Sequence, residues 1–220
     1  FVNLWSDTKE GALAVMAIIE KHVVEDNPVR GKIINLQGDV KSFGGLDWDR
    51  VAIPQRYREE LEQNIIFPAK NYAFLKQNQL YAPRGVLLAG EVGMGKSLVG
   101  KVVAKKVTDA GGTVIMTTPH EVEQMGGWKY VFDVAGTLKP TLLYFEDVET
   151  SGTSSNRMMY QLAEYLDGLE ERKDVLLLVT TNEIDSIDKR LKERPGRIDR
   201  VLVFDPKRPE FDSDWRIDVL

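Results

Sequence analysis

The chain has no cysteine and only two histidines, His22 and His120, far apart in sequence. Disulfides, thiolate nucleophiles and cysteine-based zinc sites are therefore excluded, and two isolated imidazoles make no ligand set. Both histidines are expected as surface or packing residues. Long apolar runs are also missing. The longest, residues 11–19, is too short to span a bilayer and follows Asp7, Lys9 and Glu10, which suits neither a membrane helix nor a signal peptide. No long Lys/Arg block occurs and the formal charge is −5, so nucleic acid is disfavoured as a partner, although a local basic pore could lie beneath the acidic average. Lack of cysteine fits a cytoplasmic or other reducing compartment. The chain opens on Phe1 rather than Met, as expected of a processed or trimmed fragment.

The 220 residues, 43% of them hydrophobic, suffice for one α/β core with a small appendage. A helix is expected from Asp7 or Thr8 to the stop at Asn27 and Pro28, then a short strand over 31–36 and a Gly- and Asp-rich loop over 38–49. Residues 1–40 read as an N-terminal α/β appendage, and 41–220 as the main unit. Pro54 opens a helix through Ile65, and Pro68 opens another through Gln77. Apolar strands at 86–89, 113–117, 141–145, 175–180 and 201–204 then alternate with helical segments. This order predicts a three-layer α/β sandwich around a five-stranded parallel sheet, whose ligand sits at the carboxyl ends of the strands.

The first of those strands runs into Gly90, Gly95, Lys96 and Ser97 in the spacing GxxxxGK[ST], and a helix follows. The glycines let the backbone wrap a polyanion with its N–H groups turned inward, and the helix presents its positive end to the same charge. The expected phosphate-binding set is Gly90, Glu91, Val92, Gly93, Met94, Gly95, Lys96, Ser97 and Leu98. Lys96 reaches the β- and γ-phosphates, and the Ser97 hydroxyl ligates Mg²⁺. Glu91 is an unusual neighbour for phosphate; its N–H can point inward, but its charge costs some affinity.

The third strand delivers Glu146 and Asp147. Beside a phosphate loop, one acid holds Mg²⁺ through its water shell and the next orients or activates the attacking water. The fourth strand ends in Asn182, whose amide could bond both the γ-phosphate and the lytic water, or could simply form a turn. The segment KERPGRIDR supplies Arg194, Arg197 and Arg200, either a surface basic turn or a source of the planar bidentate donors that suit a phosphoryl transition state.

In order, GVLLAGEVGMGKS, LLYFEDVE, QLAEYLDGLEERKDVLLLVTTN and RPGRIDR resemble the nucleotide-binding domain of the AAA ATPase family, from about residue 49 to residue 220. The resemblance implies ATP or ADP with Mg²⁺ as cofactors and a homo-oligomeric, hexameric ring acting on a protein substrate. It implies that Glu146 is the metal-side acid, Asp147 the catalytic acid and Asn182 the sensor asparagine. Arg194 and Arg197 match the two arginine fingers, which in the family enter a neighbouring subunit's site. Val51 and Ala52 fall where the family's backbone recognises adenine; Gly44 and Gly45 take that place only if the loop is shifted.

Three departures stand out. The usual Asp-Glu order after the third strand is reversed, so the catalytic acid is one methylene shorter. The family's pore motif is missing, with Met125 the nearest equivalent and Trp128 the next, unless both simply pack the following helix. The chain also stops at Leu220, where the C-terminal helical lid would begin, so that lid is expected to be missing. Three readings follow: a ring-forming ATPase that remodels or unfolds proteins, a nucleotide-gated scaffold with slow or no hydrolysis, and a monomeric small-molecule kinase for which no acceptor site is seen.

Overall fold

The computed structural model describes residues 8, 10–11, 13–15, 18, 27–80, 85–148, 161–162, 175–182, 198–207 and 211. All five expected strands are present: β3 (Gly85–Gly90), β4 (Thr113–Thr117), β5 (Thr141–Phe145), β6 (Val175–Thr181) and β7 (Arg200–Phe204). They form one sheet with seven strands, not five, because two short strands join its edge: β1 (Ile33–Ile34) and β2 (Val40–Lys41). The order is β2-β1-β4-β5-β6-β3-β7, parallel throughout except for β2.

The additional strands have local causes. Ile33 and Ile34, assigned by sequence to the appendage, are buried β-branched residues that pair with Val114 and Ile115 on the open edge of β4. Val40 and Lys41, expected in a loop, return against them through a turn closed by Asp39 N–H to the Asn35 side-chain oxygen (2.8 Å), with Gly38 at φ 89°.

β3 to β6 are covered on both sides, which explains their unbroken apolar runs, whereas β7 at the sheet edge leaves Arg200 and Val201 exposed. Leu88, Met116, Tyr144, Leu178 and Phe204 face a cluster with the first helical layer; Leu87, Ala89, Ile115, Phe145 and Val179 face a second cluster with Val131, Phe132 and Leu138. The first layer comprises α1 (Gln55–Leu61), a π-helical turn (Glu62–Ile66), α2 (Phe67–Lys70), α3 (Tyr72–Gln77) and α4 (Lys96–Asp109). The second includes α5 (Pro119–Gln124) and α6 (Trp128–Thr137).

Pro68 does not open a separate helix. It sits in the first turn of α2, directly after the π turn, and the break falls at Asn71, with φ −106° and ψ 19°. Proline has no N–H and its ring crowds the carbonyl four residues back, so widening the preceding turn, with Phe67 N–H bonded to Glu62 O, lets the helix continue. The buried Asn64 amide donates to Glu60 O at 2.8 Å and to the Glu60 carboxylate at 3.0 Å within the same stretch.

Candidate functional site

β3 lies between β6 and β7, so its carboxyl end opens beside those of its neighbours. Gly90 ends β3 at φ 153°, and a Cβ there would lie 2.2 Å from Phe204 O. The first glycine of the motif is therefore required by the approach of β7. Gly93 and Gly95 have φ of 83° and 85°, left-handed values that let the chain turn into α4, and no atom crowds either position. Val99 N–H bonds to Gly95 O at 2.9 Å, the first α-helical bond of α4. The N–H groups of Lys96, Ser97 and Leu98 precede it and have no helical acceptor upstream, the geometry that receives an anion.

Lys96 is 4% exposed, and its ammonium donates to Gly90 O (2.7 Å) and Glu91 O (2.8 Å). Burial lowers its pKa from the usual lysine value, opposed by the nearby negative charge of Asp147. The loop thus closes around its own cation and keeps it dehydrated.

A cavity of about 280 Å³ is lined by Val92, Gly93, Gly95, Lys96, Ser97, Leu98, Asp147 and Asn182. The loop, the second acid and the strand-end asparagine, which sequence placed together, do converge there. Asp147 takes a left-handed backbone (φ 47°), and its N–H bonds to the Thr180 hydroxyl oxygen at 2.9 Å.

Glu146 is not among the lining residues of that cavity; its carboxylate pairs with Lys101 of α4 at 3.8 Å, and its N–H bonds to Thr117 O at 3.1 Å. Val51 is buried in the cluster against which Met94 also packs, Ala52 is half-buried, and neither lines the cavity. Glu91 is exposed at the mouth of the loop, as is Val92, at 81%. Arg194 and Arg197 lie outside the described residues; Arg200 is placed elsewhere, its guanidinium bonded to the Glu60 carboxylate at 2.9 Å.

Of the alternatives for the segment after β4, packing holds for Trp128. It is 4% exposed, with its ring edge-on to Phe145 at 5.1 Å, and so is unavailable to grip a peptide. Met125 is half-buried against the same cluster.

Sequence reasoning overlooked Lys101, Tyr144 and Thr180. The two consecutive threonines ending an otherwise apolar strand were a signal for Thr180; for Lys101 there was none, because its role depends on the approach of β5 to α4.

The donor set fits a nucleoside triphosphate with Mg²⁺: a dehydrated cation, a helix N-terminus, one hydroxyl and an acid on a shared cavity. Among the described residues no cluster of three or more His, Cys, Asp or Glu could hold a metal by itself.

Comparison with known proteins points the same way. The model for the ATPase family associated with various cellular activities (AAA) matches residues 86–206, more than half of the chain. The chain is 30% identical over 176 residues to the 26S proteasome regulatory subunit 4 homolog of Saccharomyces cerevisiae, covering 72% of this chain and 39% of that protein. It is 27% identical over 193 residues to Protein CdcH of Halobacterium salinarum, covering 82% of this chain and 26% of that protein. It is 28% identical over 173 residues to the human ATPase family gene 2 protein homolog A, covering 71% and 19%. The chain thus spans well under half the length of these relatives. With the phosphate loop, both acids and the strand-end asparagine on one α/β sheet and the family match running through all of them, the chain belongs to the AAA family of ATPases.

Proposed function

We propose that the chain binds ATP with Mg²⁺ and hydrolyses it as a subunit of a homo-oligomeric, hexameric ring that remodels or unfolds a protein substrate. The observation that carries the reading is the single cavity shared by Lys96, Ser97, Asp147 and Asn182. In this reading the nucleotide-binding unit includes β1, since Ile33 and Ile34 are hydrogen-bonded into its sheet.

Lys96 exchanges its two loop carbonyls for phosphate oxygens, which repays the dehydration it already bears. Ser97 and Glu146 would hold Mg²⁺, with Glu146 released from Lys101. Mg²⁺, when bound there, would supply charge neutralisation to the phosphates. Asp147 accepts a proton from, or orients, the attacking water, and the Asn182 amide fixes the geometry of that water and the terminal phosphate. Val51 and Ala52 offer their backbone to adenine. Arg194 and Arg197 act in the neighbouring subunit's site. No described helix is long and apolar enough to cross a membrane, and the absence of cysteine accords with a reducing compartment.

Titration with a fluorescent nucleotide and a phosphate-release assay test this together. Lys96→Ala is expected to weaken binding at least tenfold, and Asp147→Asn to retain binding while turnover falls on the order of a hundredfold. Arg194→Ala should abolish turnover with binding near normal. Unchanged turnover in Asp147→Asn refutes the hydrolytic assignment; unchanged turnover in Arg194→Ala refutes the finger supplied in trans. The second reading, a nucleotide-gated scaffold, is favoured by the burial of Trp128 and by the pairing of Glu146 with Lys101. Substantial ring-dependent turnover would eliminate it.

A further inference from the structure

Between the phosphate-binding helix and the catalytic acid runs a row of buried polar groups that the reading above does not use. Tyr144, two residues before Glu146 on β5, is 0% exposed. Its hydroxyl donates to Ser97 O over a long 3.5 Å and makes a side-chain hydrogen bond with Thr180. Thr180 is also 0% exposed and accepts the N–H of Asp147 at 2.9 Å. The donors can therefore run in one direction: Asp147 N–H to the Thr180 hydroxyl, that hydroxyl to the phenol, and the phenol to the Ser97 carbonyl.

Two features show that the chain makes room for this row. Gly100 stands inside α4, where glycine is unfavourable, and a Cβ there would lie 2.2 Å from the Tyr144 hydroxyl. Asp147 adopts φ 47°, unfavourable for a residue with a Cβ, while Thr180 holds its amide. The Thr180 hydroxyl is not needed to fill space, since valine has the same outline.

We propose that Thr180 and Tyr144 are positioning residues, a hydrogen-bonded relay that holds Asp147 in register with the Ser97 turn of the phosphate-binding helix. The proposal rests on the hydrolytic reading. An aspartate cannot reach as far as a glutamate, so the placement of its backbone decides where its carboxylate lies. The relay sets that placement from the element that carries the phosphate-binding residues, and a bound triphosphate then meets a carboxylate already aligned with it.

The test compares Thr180→Val, Thr180→Ser and Tyr144→Phe with the wild type by steady-state phosphate release, fluorescent-ADP titration and amide hydrogen exchange at Asp147. Thr180→Val is expected to lower kcat on the order of tenfold, the effect of one lost buried hydrogen bond, with the ADP Kd within threefold. Thr180→Ser should restore kcat to within about twofold of the wild type, because the acceptor returns. Tyr144→Phe should lower kcat about threefold, and the double variant with Thr180→Val should be no slower than Thr180→Val alone. The Asp147 amide should exchange faster in Thr180→Val and not in Thr180→Ser. A purely structural role would change Kd and urea midpoint together with kcat and would not be rescued by serine; that result overturns the relay. Wild-type protein that binds nucleotide but releases no phosphate overturns the hydrolytic reading and the relay with it. Active wild type with kcat of Thr180→Val within twofold overturns the relay alone. Should Thr180→Val fail to fold, Thr180→Ala and Tyr144→Phe carry the same comparison.

Discussion

Replacing Gly100 with alanine should destabilise the protein, against the ordinary preference of helices. In an unobstructed helix interior the change is favourable by about 1 kcal/mol. Here the added Cβ would lie 2.2 Å from the Tyr144 hydroxyl oxygen, 2.4 Å from Cζ and 3.0 Å from Cε2. The first two lie more than 1 Å inside ordinary carbon contact distances of about 3.5 Å. Gly100 is buried, and Tyr144 belongs to β5, which is paired on both edges, so neither side has room to retreat. Overpacking of this kind costs about 1–3 kcal/mol, and a displaced phenol gives up hydrogen bonds at about 1 kcal/mol each. With two such bonds lost and set against the helix gain, the net loss is about 2–4 kcal/mol, a fall in Tm of about 2–4 °C for each. Equilibrium urea denaturation of the nucleotide-free protein measures it. A second variant sharpens the test: with Tyr144→Leu the clashing atoms are gone and the helix gain returns, so the double variant should be more stable than the sum of the two single changes implies, by about 3–5 kcal/mol. If Gly100→Ala is as stable as the wild type, or more so, the phenol does not occupy that space and the argument fails.

Trp128→Ala should lower stability by about 3–5 kcal/mol in urea denaturation, because the indole is 4% exposed against Phe145; an unchanged midpoint would return Trp128 to the list of peptide-gripping candidates. Burial depresses the pKa of Lys96 below its ordinary value of 10.5, so the unfolded chain binds that proton more readily. The nucleotide-free protein should therefore gain stability as pH rises from the folded pKa toward 10.5, a gain that Lys96→Met removes from a series of urea midpoints. For Asp47 the sign is opposite. The Lys106 hydrogen bond first, and then the Trp48 N–H, lower its pKa below 3.8, so its contribution is present above that pH and fades as pH falls through the folded value. Lys106→Met should reduce this contribution and move the acid-unfolding midpoint to higher pH, read by circular dichroism.

The phosphate loop was legible because its information is local. Gly93 and Gly95 carry backbone angles that other residues adopt at a cost, and Lys96 and Ser97 follow at a spacing set by one turn of loop and the start of a helix. Four of the five long strands were legible because each is a run of residues buried on both faces, and β7, exposed at Arg200 and Val201, because of its short apolar run from Val201 to Phe204. Asp147 and Asn182 could be placed near the loop because a parallel sheet collects its strand ends on one side. Three features were not legible. A short strand over 31–36 was read from the sequence, but not that Ile33 and Ile34 join the main sheet, which follows from the open edge that β4 offers. Trp128 reads the same whether buried or exposed until α6 is laid against β5. The partners of Glu146 and Asp147, Lys101 and Thr180, are far from them in sequence and are selected by packing.

The sequence by itself determined the phosphate-binding loop, the long strands and the identity of the acids, since these depend on backbone conformation and burial over a few residues. The tertiary structure alone decided the strand order that sets β3 between β6 and β7, the use of Gly90 to admit Phe204, the burial of Trp128, and the line of hydrogen bonds from Asp147 through Thr180 and Tyr144 to Ser97. Each of these joins residues tens of positions apart, and only the folded chain brings such groups within the few ångströms over which hydrogen bonds and van der Waals contact act.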